Sequence, residues 1–244
     1  MKILIITGGS KGLGKEIVSL YLKDNWKVFD LSRTGTTKDH REVDLSDIDS
    51  IPNIIEEIIN ELLNIEIEEF MFINNAATLT PISKTRRLSD VDIIKNVNVN
   101  IVSALIMIKH IIARFRDLNC NKTLINISSG AANKGHSGWS LYCTSKAGME
   151  NFFNTLFEEE QSETYPFSII NFDPYIMDTS MQEEIRSTSR VDFPGVDRFI
   201  SYKQDCKLMK PITVAKILKS LLTTKNFKQC RYEAVKLRDG KKSS

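Results

Sequence analysis

The chain has 244 residues, of which 41% are hydrophobic and 26% charged, with a formal net charge of +2. This length and composition predict one globular domain with a full-sized core. The near-neutral charge argues against a nucleic-acid groove or an anionic membrane surface as the main partner. Lys2 leads directly into core-type residues, so no signal peptide is expected.

The longest apolar stretch, 101–112, contains Ser103, Lys109 and His110, and we expect it to be too short and too polar to span a bilayer. The four cysteines show no paired spacing, which argues against a disulfide framework or a zinc knuckle. The three histidines are scattered and have no partners at ligand spacing. We therefore expect a cytoplasmic protein that uses no metal.

Strand-like and helix-like segments alternate along the chain, as a doubly wound parallel sheet requires. Strands are predicted at 3–7, 27–31, 69–74, 123–128 and 167–172, with one more at 231–237. Helices are predicted at 15–23, 51–63, 90–115 and 141–161. The pattern predicts a single α/β domain of Rossmann type over residues 1–244. The polar segment 175–210 fits the alternation least and is predicted to be a substrate lid.

A glycine-rich turn, Thr7-Gly8-Gly9-Ser10-Lys11-Gly12-Leu13-Gly14, follows the first apolar run. A strand that enters a helix through such a turn forms a phosphate cradle. The glycines allow a tight turn and close approach to a pyrophosphate, and the helix N-terminus offers unpaired N–H groups. Far downstream, Tyr142 and Lys146 lie one helical turn apart, which places a phenol and an ammonium on the same face. Together the two motifs indicate a nucleotide-dependent enzyme that interconverts carbonyls and alcohols.

In this order, the motifs resemble the classical short-chain dehydrogenase/reductase family, and the resemblance covers nearly the whole chain. Asn74-Asn75-Ala76-Ala77 resembles the Asn-Asn-Ala-Gly segment of that family, and Ser129, thirteen residues before Tyr142, matches its catalytic serine. Asn98 lies where the family places its fourth catalytic member. The resemblance thus implies a catalytic set of Asn98, Ser129, Tyr142 and Lys146. Ser128 remains an alternative to Ser129, and Asn100 remains an alternative to Asn98. Each alternative lies close by in the sequence and has the same side chain.

These residue types suit carbonyl reduction, which needs a hydride at carbon and a proton at oxygen. A phenol with a pKa near 10 is a slow acid at neutral pH, and we expect the Lys146 ammonium to lower the Tyr142 pKa. Ser129 would fix the substrate oxygen, and Asn98 would order water for proton resupply.

The end of the second predicted strand indicates the cofactor. An acidic residue there would hold the ribose hydroxyls of NAD, but the chain has Ser32 and Arg33, a pair suited to a 2′-phosphate. Lys11 adds a second cation, and Asp30 would be the ribose acid if the register were shifted. NADP(H) is therefore expected. The implied cofactor contacts are Gly8, Ser10, Lys11, Gly12, Leu13, Gly14, Ser32, Arg33, Asp44, Leu45, Asn75, Ala76, Tyr142, Lys146 and Thr179.

Two stretches, 138–143 and 177–182, resemble sepiapterin reductases, and a broader set that includes 185–189 resembles bacterial benzil reductases. Two departures bear on the substrate: Ala234 replaces the expected pterin-anchoring carboxylate, with Glu233 beside it, and Tyr175 stands at a family glycine. An apolar pocket for an aromatic 1,2-diketone is therefore expected. Its predicted contacts are Ser129, Trp139, Tyr142, Tyr175, Met177 and Met181.

Two alternatives stay open at this point. One is reduction of a pterin side chain, and the other is a nucleotide-sensing regulator without turnover. Members of the family commonly pair through two long helices, here 90–115 and 141–161, so a homodimer or homotetramer is expected.

Overall fold

The structure, a computed structural model, describes residues 1–224, 227 and 230–240. Within these residues, seven strands form one parallel sheet in the order β3-β2-β1-β4-β5-β6-β7. The winding reverses between β1 and β4, and in such sheets ligands bind beyond the carboxyl ends of the strands at that reversal. The strands are β1 (Lys2–Thr7), β2 (Lys27–Ser32), β3 (His40–Glu42), β4 (Glu69–Asn74), β5 (Asn121–Ile127), β6 (Phe167–Asp173) and β7 (Arg231–Glu233).

Helices cover both faces of the sheet, and alternate strand residues point to opposite layers. Ile3 and Ile5 of β1 pack in one layer, with the second and fourth helices and the long fifth one. Leu4 and Ile6 pack in the other, with the first and eighth helices. The helices are α1 (Gly12–Lys23), α2 (Ile51–Leu62), α3 (Asp90–Val97), α4 (Ser103–Phe115), α5 (Ser140–Glu160), α6 (Ser180–Ser187), α7 (Val196–Gln204), α8 (Pro211–Thr223) and α9 (Ala234–Arg238).

A row of buried amides crosses three neighbouring strands. Asn74, Asn126 and Asn171 are register partners on β4, β5 and β6. The Asn74 amide donates to Asn126 at 3.2 Å, and the Asn126 amide donates to Asn171 at 2.9 Å. A one-residue slip of any strand would leave buried amides without partners, so this row specifies the register of the central sheet.

The predicted doubly wound parallel sheet is confirmed, with differences in individual elements. The predicted strand 231–237 is wrong beyond Glu233, because Ala234–Arg238 is helical and Ala234 is fully buried. The short strand β3 and helix α8 were not predicted. The segment 175–210, predicted to be a lid, carries α6 and α7.

The predicted helix 90–115 is interrupted by one π-helical turn, Asn98–Val102, between α3 and α4. By length and hydropathy alone this helical run could cross a membrane. One such helix is weak evidence, because the core helix of a soluble protein passes the same test. The inner face of α4 is core, since Met107, Ile108 and Ile111 are fully buried.

Candidate active site

Two adjoining cavities open beyond the carboxyl ends of the central strands. The larger cavity, of about 940 Å³, lies over the ends of β1, β2 and β4. The smaller cavity, of about 260 Å³, lies between the end of β6, the start of α5 and the lid. Tyr142 lines both, so its phenol stands where a ligand in one cavity meets a ligand in the other.

The glycine turn shapes the floor of the larger cavity. Gly8 and Gly12 have φ values of +69° and +51°, in the left-handed region that favours glycine. A Cβ on Gly14 would lie 2.2 Å from the carbonyl oxygen of Gly8, so only glycine allows α1 to approach this closely. The Asn75 amide donates to the carbonyl oxygens of Thr7 and Gly8 at 2.9 and 3.1 Å and holds the turn against the end of β4. The resulting cradle fits a pyrophosphate.

Asp30 does not face the larger cavity. Its side chain is 1% exposed and accepts hydrogen bonds from the Gly9 N–H at 2.8 Å and from the Ser32 hydroxyl at 3.1 Å. Burial raises the pKa of this carboxyl, and these hydrogen bonds oppose the rise. Asp30 therefore fastens the glycine turn to β2, and the interpretation of Asp30 as the ribose acid is wrong.

The far end of the larger cavity carries positive charge. Ser32, Arg33, Asp44 and Leu45 line it. Hydrogen bonds from Ser46 lower the pKa of the Asp44 carboxyl most, and the Arg33 guanidinium lowers it further. Arg33 therefore lies close enough to Asp44 to act on its charge at this end of the cavity.

Nearly all of the predicted cofactor residues line the larger cavity. The exception is Gly14, which lies behind the turn and contributes the close approach described above. The residues that line it are Gly8, Ser10, Lys11, Gly12, Leu13, Ser32, Arg33, Asp44, Leu45, Asn75, Ala76, Tyr142, Lys146 and Thr179.

The first turns of α5 bring Tyr142 and Lys146 together, 8% and 6% exposed. The Lys146 ammonium lies 5.7 Å from the centroid of the Tyr142 ring and donates to the carbonyl oxygen of Ile127 at 2.6 Å. This carbonyl ends β5, so the helix and the sheet position the ammonium jointly.

Burial dominates the electrostatics of this pair. It raises the pKa of Tyr142 to about 12, while a hydrogen bond with Ser129 acts in the opposite direction. It lowers the pKa of Lys146 to about 8, and the nearby Asp173 carboxylate partly offsets that drop. The expected lowering of the Tyr142 pKa by Lys146 is not seen in this structure, because burial of the phenol raises its pKa. At neutral pH the phenol keeps its proton and can donate it.

Ser129, rather than Ser128, faces the phenol. The Ser128 hydroxyl is 2% exposed and donates to Glu150 on α5 at 2.9 Å, away from Tyr142. Both serines line the smaller cavity, and Ser129 is the one that acts on the pKa of the Tyr142 phenol. Consecutive residues of extended chain direct their side chains to opposite sides, which agrees with the different partners of the two serines.

Asn98 is the predicted catalytic residue that the structure does not bring to the site. Its amide donates to the carbonyl oxygen of Ser46 at 3.1 Å, and it lines neither cavity. Asn100 instead bonds the chain after β4: its oxygen accepts from the Thr78 N–H at 2.8 Å, and its amide donates to the Thr78 carbonyl at 2.9 Å and to Asn96 at 3.0 Å. The π-helical turn changes the helical register here, which counting along a regular helix does not reveal.

The smaller cavity is apolar and aromatic along most of its wall. Trp139, Tyr175, Met177 and Met181 line it, as predicted for a substrate pocket. Trp139 is supported from behind by Phe193, whose ring stacks on the indole at 4.7 Å between centroids. At the inner end of this wall are the hydroxyl groups of Ser129 and Tyr142.

One carboxylate in the smaller cavity was missed from the sequence. Asp173, the last residue of β6, lines the cavity with 13% of its side chain exposed. Its oxygens accept from the Tyr175 N–H at 2.9 Å and from Arg231 of β7 at 3.1 Å. Tyr175 has a φ of +62°, which explains why a glycine suits this position in the family. The position of Asp173 at a strand's carboxyl end was the available signal.

Glu233, the possible pterin anchor, does not line the smaller cavity. Its carboxylate lies 3.1 Å from the Lys236 ammonium and 3.8 Å from Arg231. It therefore belongs to a charge cluster behind the site.

Comparisons with known proteins agree with this geometry. The short chain dehydrogenase family matches residues 2–190. A benzil reductase ((S)-benzoin forming) of Bacillus cereus is 34% identical over 241 residues, covering 94% of this chain and 97% of that protein. Mouse sepiapterin reductase is 33% identical over 129 residues, or 51% of this chain and 47% of that protein.

Solved structures show the same fold. A short-chain dehydrogenase/reductase from Saccharomyces cerevisiae superposes with a TM-score of 0.81 at 21% identity, covering 98% of this chain and 99% of that chain. The family and the benzil reductase relatives make this protein an oxidoreductase that acts on CH–OH and C=O groups with a nicotinamide cofactor. The chain belongs to the short-chain dehydrogenase/reductase family.

Proposed function

We propose that this protein is an NADPH-dependent carbonyl reductase that converts one carbonyl of an aromatic 1,2-diketone to the hydroxy ketone. The observation that carries the proposal is the smaller cavity, an apolar and aromatic slot that ends at the hydroxyls of Ser129 and Tyr142. Two bacterial relatives that are 34% identical over more than nine tenths of the chain are named benzil reductases, which supports this substrate class.

NADPH is favoured over NADH by charge at the far end of the larger cavity. Arg33 and Lys11 line the larger cavity. A guanidinium can donate two parallel hydrogen bonds to a 2′-phosphate. The acid that could hold a free 2′-hydroxyl, Asp30, is bonded to Gly9 and Ser32. ElxO, a protein of the same fold, has been solved with NADPH bound. When bound, the nicotinamide supplies the hydride that the carbonyl carbon receives.

Side chains of the protein would donate the proton to the substrate oxygen and stabilise the phenolate that remains. The Ser129 hydroxyl donates to the substrate carbonyl oxygen and fixes its position, and the Tyr142 phenol donates the proton that this oxygen needs as it becomes a hydroxyl. Burial keeps the phenol protonated, with a pKa of about 12, so the acid form is present at neutral pH. The Lys146 ammonium, close to the ring, stabilises the phenolate left after the transfer. Asn100 acts indirectly, by holding the loop at Thr78.

The diketone is favoured over a pterin because the smaller cavity offers few free acceptors. A pterin presents several ring N–H groups, and burying each without a partner costs about 1–3 kcal/mol. Glu233 is paired outside the cavity, and both oxygens of Asp173 already accept hydrogen bonds. A benzil-type diketone needs only Ser129, Tyr142 and apolar contact.

The proposals on partners and location rest on the family resemblance and on the outer parts of two long helices. Partly buried apolar residues on the outer parts of α4 and α5, among them Ile106, Ile112 and Phe152, suit pairing of two copies through these helices. A homodimer or homotetramer in the cytoplasm is proposed on this basis.

Parallel kinetics test the function. Purified enzyme is assayed for NADPH consumption with benzil and with sepiapterin, and then with NADH in place of NADPH. We expect a higher kcat/KM for benzil than for sepiapterin, formation of benzoin, and preference for NADPH. A clear advantage for sepiapterin would make this a pterin reductase. No turnover of any carbonyl compound, despite tight NADPH binding, would favour the regulator.

A further inference from the structure

Three basic side chains stand at the mouth of the smaller cavity. Lys134 and His136 lie on the segment after β5, and Arg198 lies on α7. Lys134 and Arg198 are exposed, and within residues 1–224, 227 and 230–240 neither forms an ion pair with a carboxylate. Arg198 donates to the Tyr202 hydroxyl and lies over that ring, 5.1 Å from its centroid. Their charge is therefore available to a ligand.

Acids are present nearby but are paired with other bases. Asp197 precedes Arg198 directly, yet it binds Arg190 at 2.8 Å. Asp178 in the same lid binds Lys203 at 2.6 Å. The lid thus neutralises bases that face away from the cavity and leaves Arg198 at the mouth without a carboxylate.

The charges of Lys134 and Arg198 act on His136 across the mouth. The pKa of the His136 imidazole lies below its usual value, first because of burial and then because of the Lys134 and Arg198 charges. The apolar walls formed by Trp139 and Phe199 keep the local dielectric low, which focuses such a field into the cavity.

The inner end of the cavity has the opposite polarity. Asp173 lies there, near Ser129, and Arg231 compensates its charge at 3.1 Å. An anionic group on a ligand would be disfavoured beside Asp173 and attracted to the mouth. A carbonyl compound with one charged end would therefore enter with its carbonyl toward Tyr142.

We propose that the preferred substrate carries a carboxylate, or an equivalent anionic group, at the end remote from the reacting carbonyl, and that Lys134 and Arg198 bind this group. The inference rests on the proposed function and specifies its substrate class. The larger cavity contains none of the three basic residues at the mouth, so this anion site is separate from the phosphate-binding region.

A matched pair of substrates tests the proposal: 4-carboxybenzil and its methyl ester, each with saturating NADPH. The ester has the same rings and carbonyls but no charge. Exposed ion pairs contribute about 0.2–1 kcal/mol each, so two of them predict a kcat/KM that is about 2- to 30-fold higher for the acid. This ratio should fall toward one at about 1 M salt, where screening is strong.

The double variant Lys134→Gln/Arg198→Gln should also bring the acid-to-ester ratio toward one. Because the ratio is taken within one enzyme, loss of folded protein does not move it. Lys203→Gln is the matched control, since it removes a lid cation that is paired with Asp178 and does not line the cavity. Its ratio should equal that of the wild type.

The outcomes separate the two proposals. If the wild type shows no preference for the acid, or the double variant keeps the full preference, the anion site is refuted, while reduction of the ester still supports the diketone reductase. If neither diketone is reduced, the proposed function fails. Calorimetric binding of acid and ester to the wild type and the double variant then decides the anion site without turnover: equal affinities refute it, and a preference that the double variant loses supports it.

Discussion

Replacement of Lys146 by methionine should change the stability of the cofactor-free protein in a pH-dependent way. Relative to the wild type, the variant should be more favoured at neutral pH than at alkaline pH. The folded-state pKa of Lys146 is about 8 against an ordinary value of 10.5, because the ammonium is buried. The unfolded chain therefore binds this proton more tightly than the folded protein does. This difference lowers the free energy of unfolding, and the full reduction is present below pH 8. The opposition is relieved as pH rises from 8 to 10.5.

The size of the effect follows from this pKa difference. Linkage gives a destabilisation by the charged lysine of about 3 kcal/mol at pH 7 and about 1.5 kcal/mol at pH 9.5. Methionine also loses the hydrogen bond to the Ile127 carbonyl, but that loss is similar at both pH values. The stability difference between Lys146→Met and wild type should therefore move by about 1.5–2 kcal/mol, in favour of the variant at pH 7.

Urea unfolding of wild type and variant at the two pH values measures this change. Lys15→Met is the control, because Lys15 is exposed on α1 and its substitution should give a pH-independent difference. If the Lys146→Met difference is the same at pH 7 and pH 9.5, the ammonium is not strained by burial, and the account of the Tyr142–Lys146 pair must be revised.

Four further predictions concern the site. Tyr142→Phe should lower kcat at least about 10²-fold with an unchanged Kd for NADPH, because only the proton donor is lost; a near-normal rate would point to another acid. Arg33→Ala should weaken NADPH binding about 10- to 150-fold in titrations and leave NADH binding unaltered, and equal losses for both would remove Arg33 from the 2′-phosphate. Asn100→Ala should lose about 2–3 kcal/mol in urea unfolding and reduce kcat, whereas Asn98→Ala should do little, and the reverse order would restore the prediction from sequence. Asp173 raises the pKa of the Tyr142 phenol, so Asp173→Asn should move the alkaline fall of the reductive rate to lower pH, and an unmoved profile would mean that this carboxylate has no electrostatic role.

The parts of the site that the sequence predicts well depend on short-range patterns. The turn from Gly8 to Gly14 needs glycine for local steric reasons, and the pairing of Tyr142 with Lys146 follows from helical spacing. The strands follow from apolar runs between helices, so the Rossmann-type sheet was predictable from local composition.

The errors arise where long-range or irregular geometry decides. Asn98 was preferred over Asn100 from its place in the family pattern, and the π-helical turn at Asn98–Val102 decides which side chain faces the loop after β4. Asp30 was kept as a possible ribose acid because the sequence does not show that its carboxylate is already hydrogen-bonded. Its partner, the Gly9 N–H, lies 21 positions away. Asp173 was missed for a similar reason, since its partner Arg231 lies 58 residues downstream. The helices of the lid have mixed polar faces that local hydropathy does not distinguish from loop.

The three-residue strand β7 carries a consequence for the order in which the enzyme matures. Its Arg231 pairs with Asp173 at the inner end of the smaller cavity and with Glu150 on α5. A nascent chain that has been synthesised only to residue 224 already contains Ser129, Tyr142 and Lys146, but it holds these two carboxylates without their guanidinium. Since chains emerge from the N-terminus onward, the active site reaches its final charge balance only when the last strand joins the sheet. Catalytic competence should therefore appear late in synthesis, after most of the fold has formed.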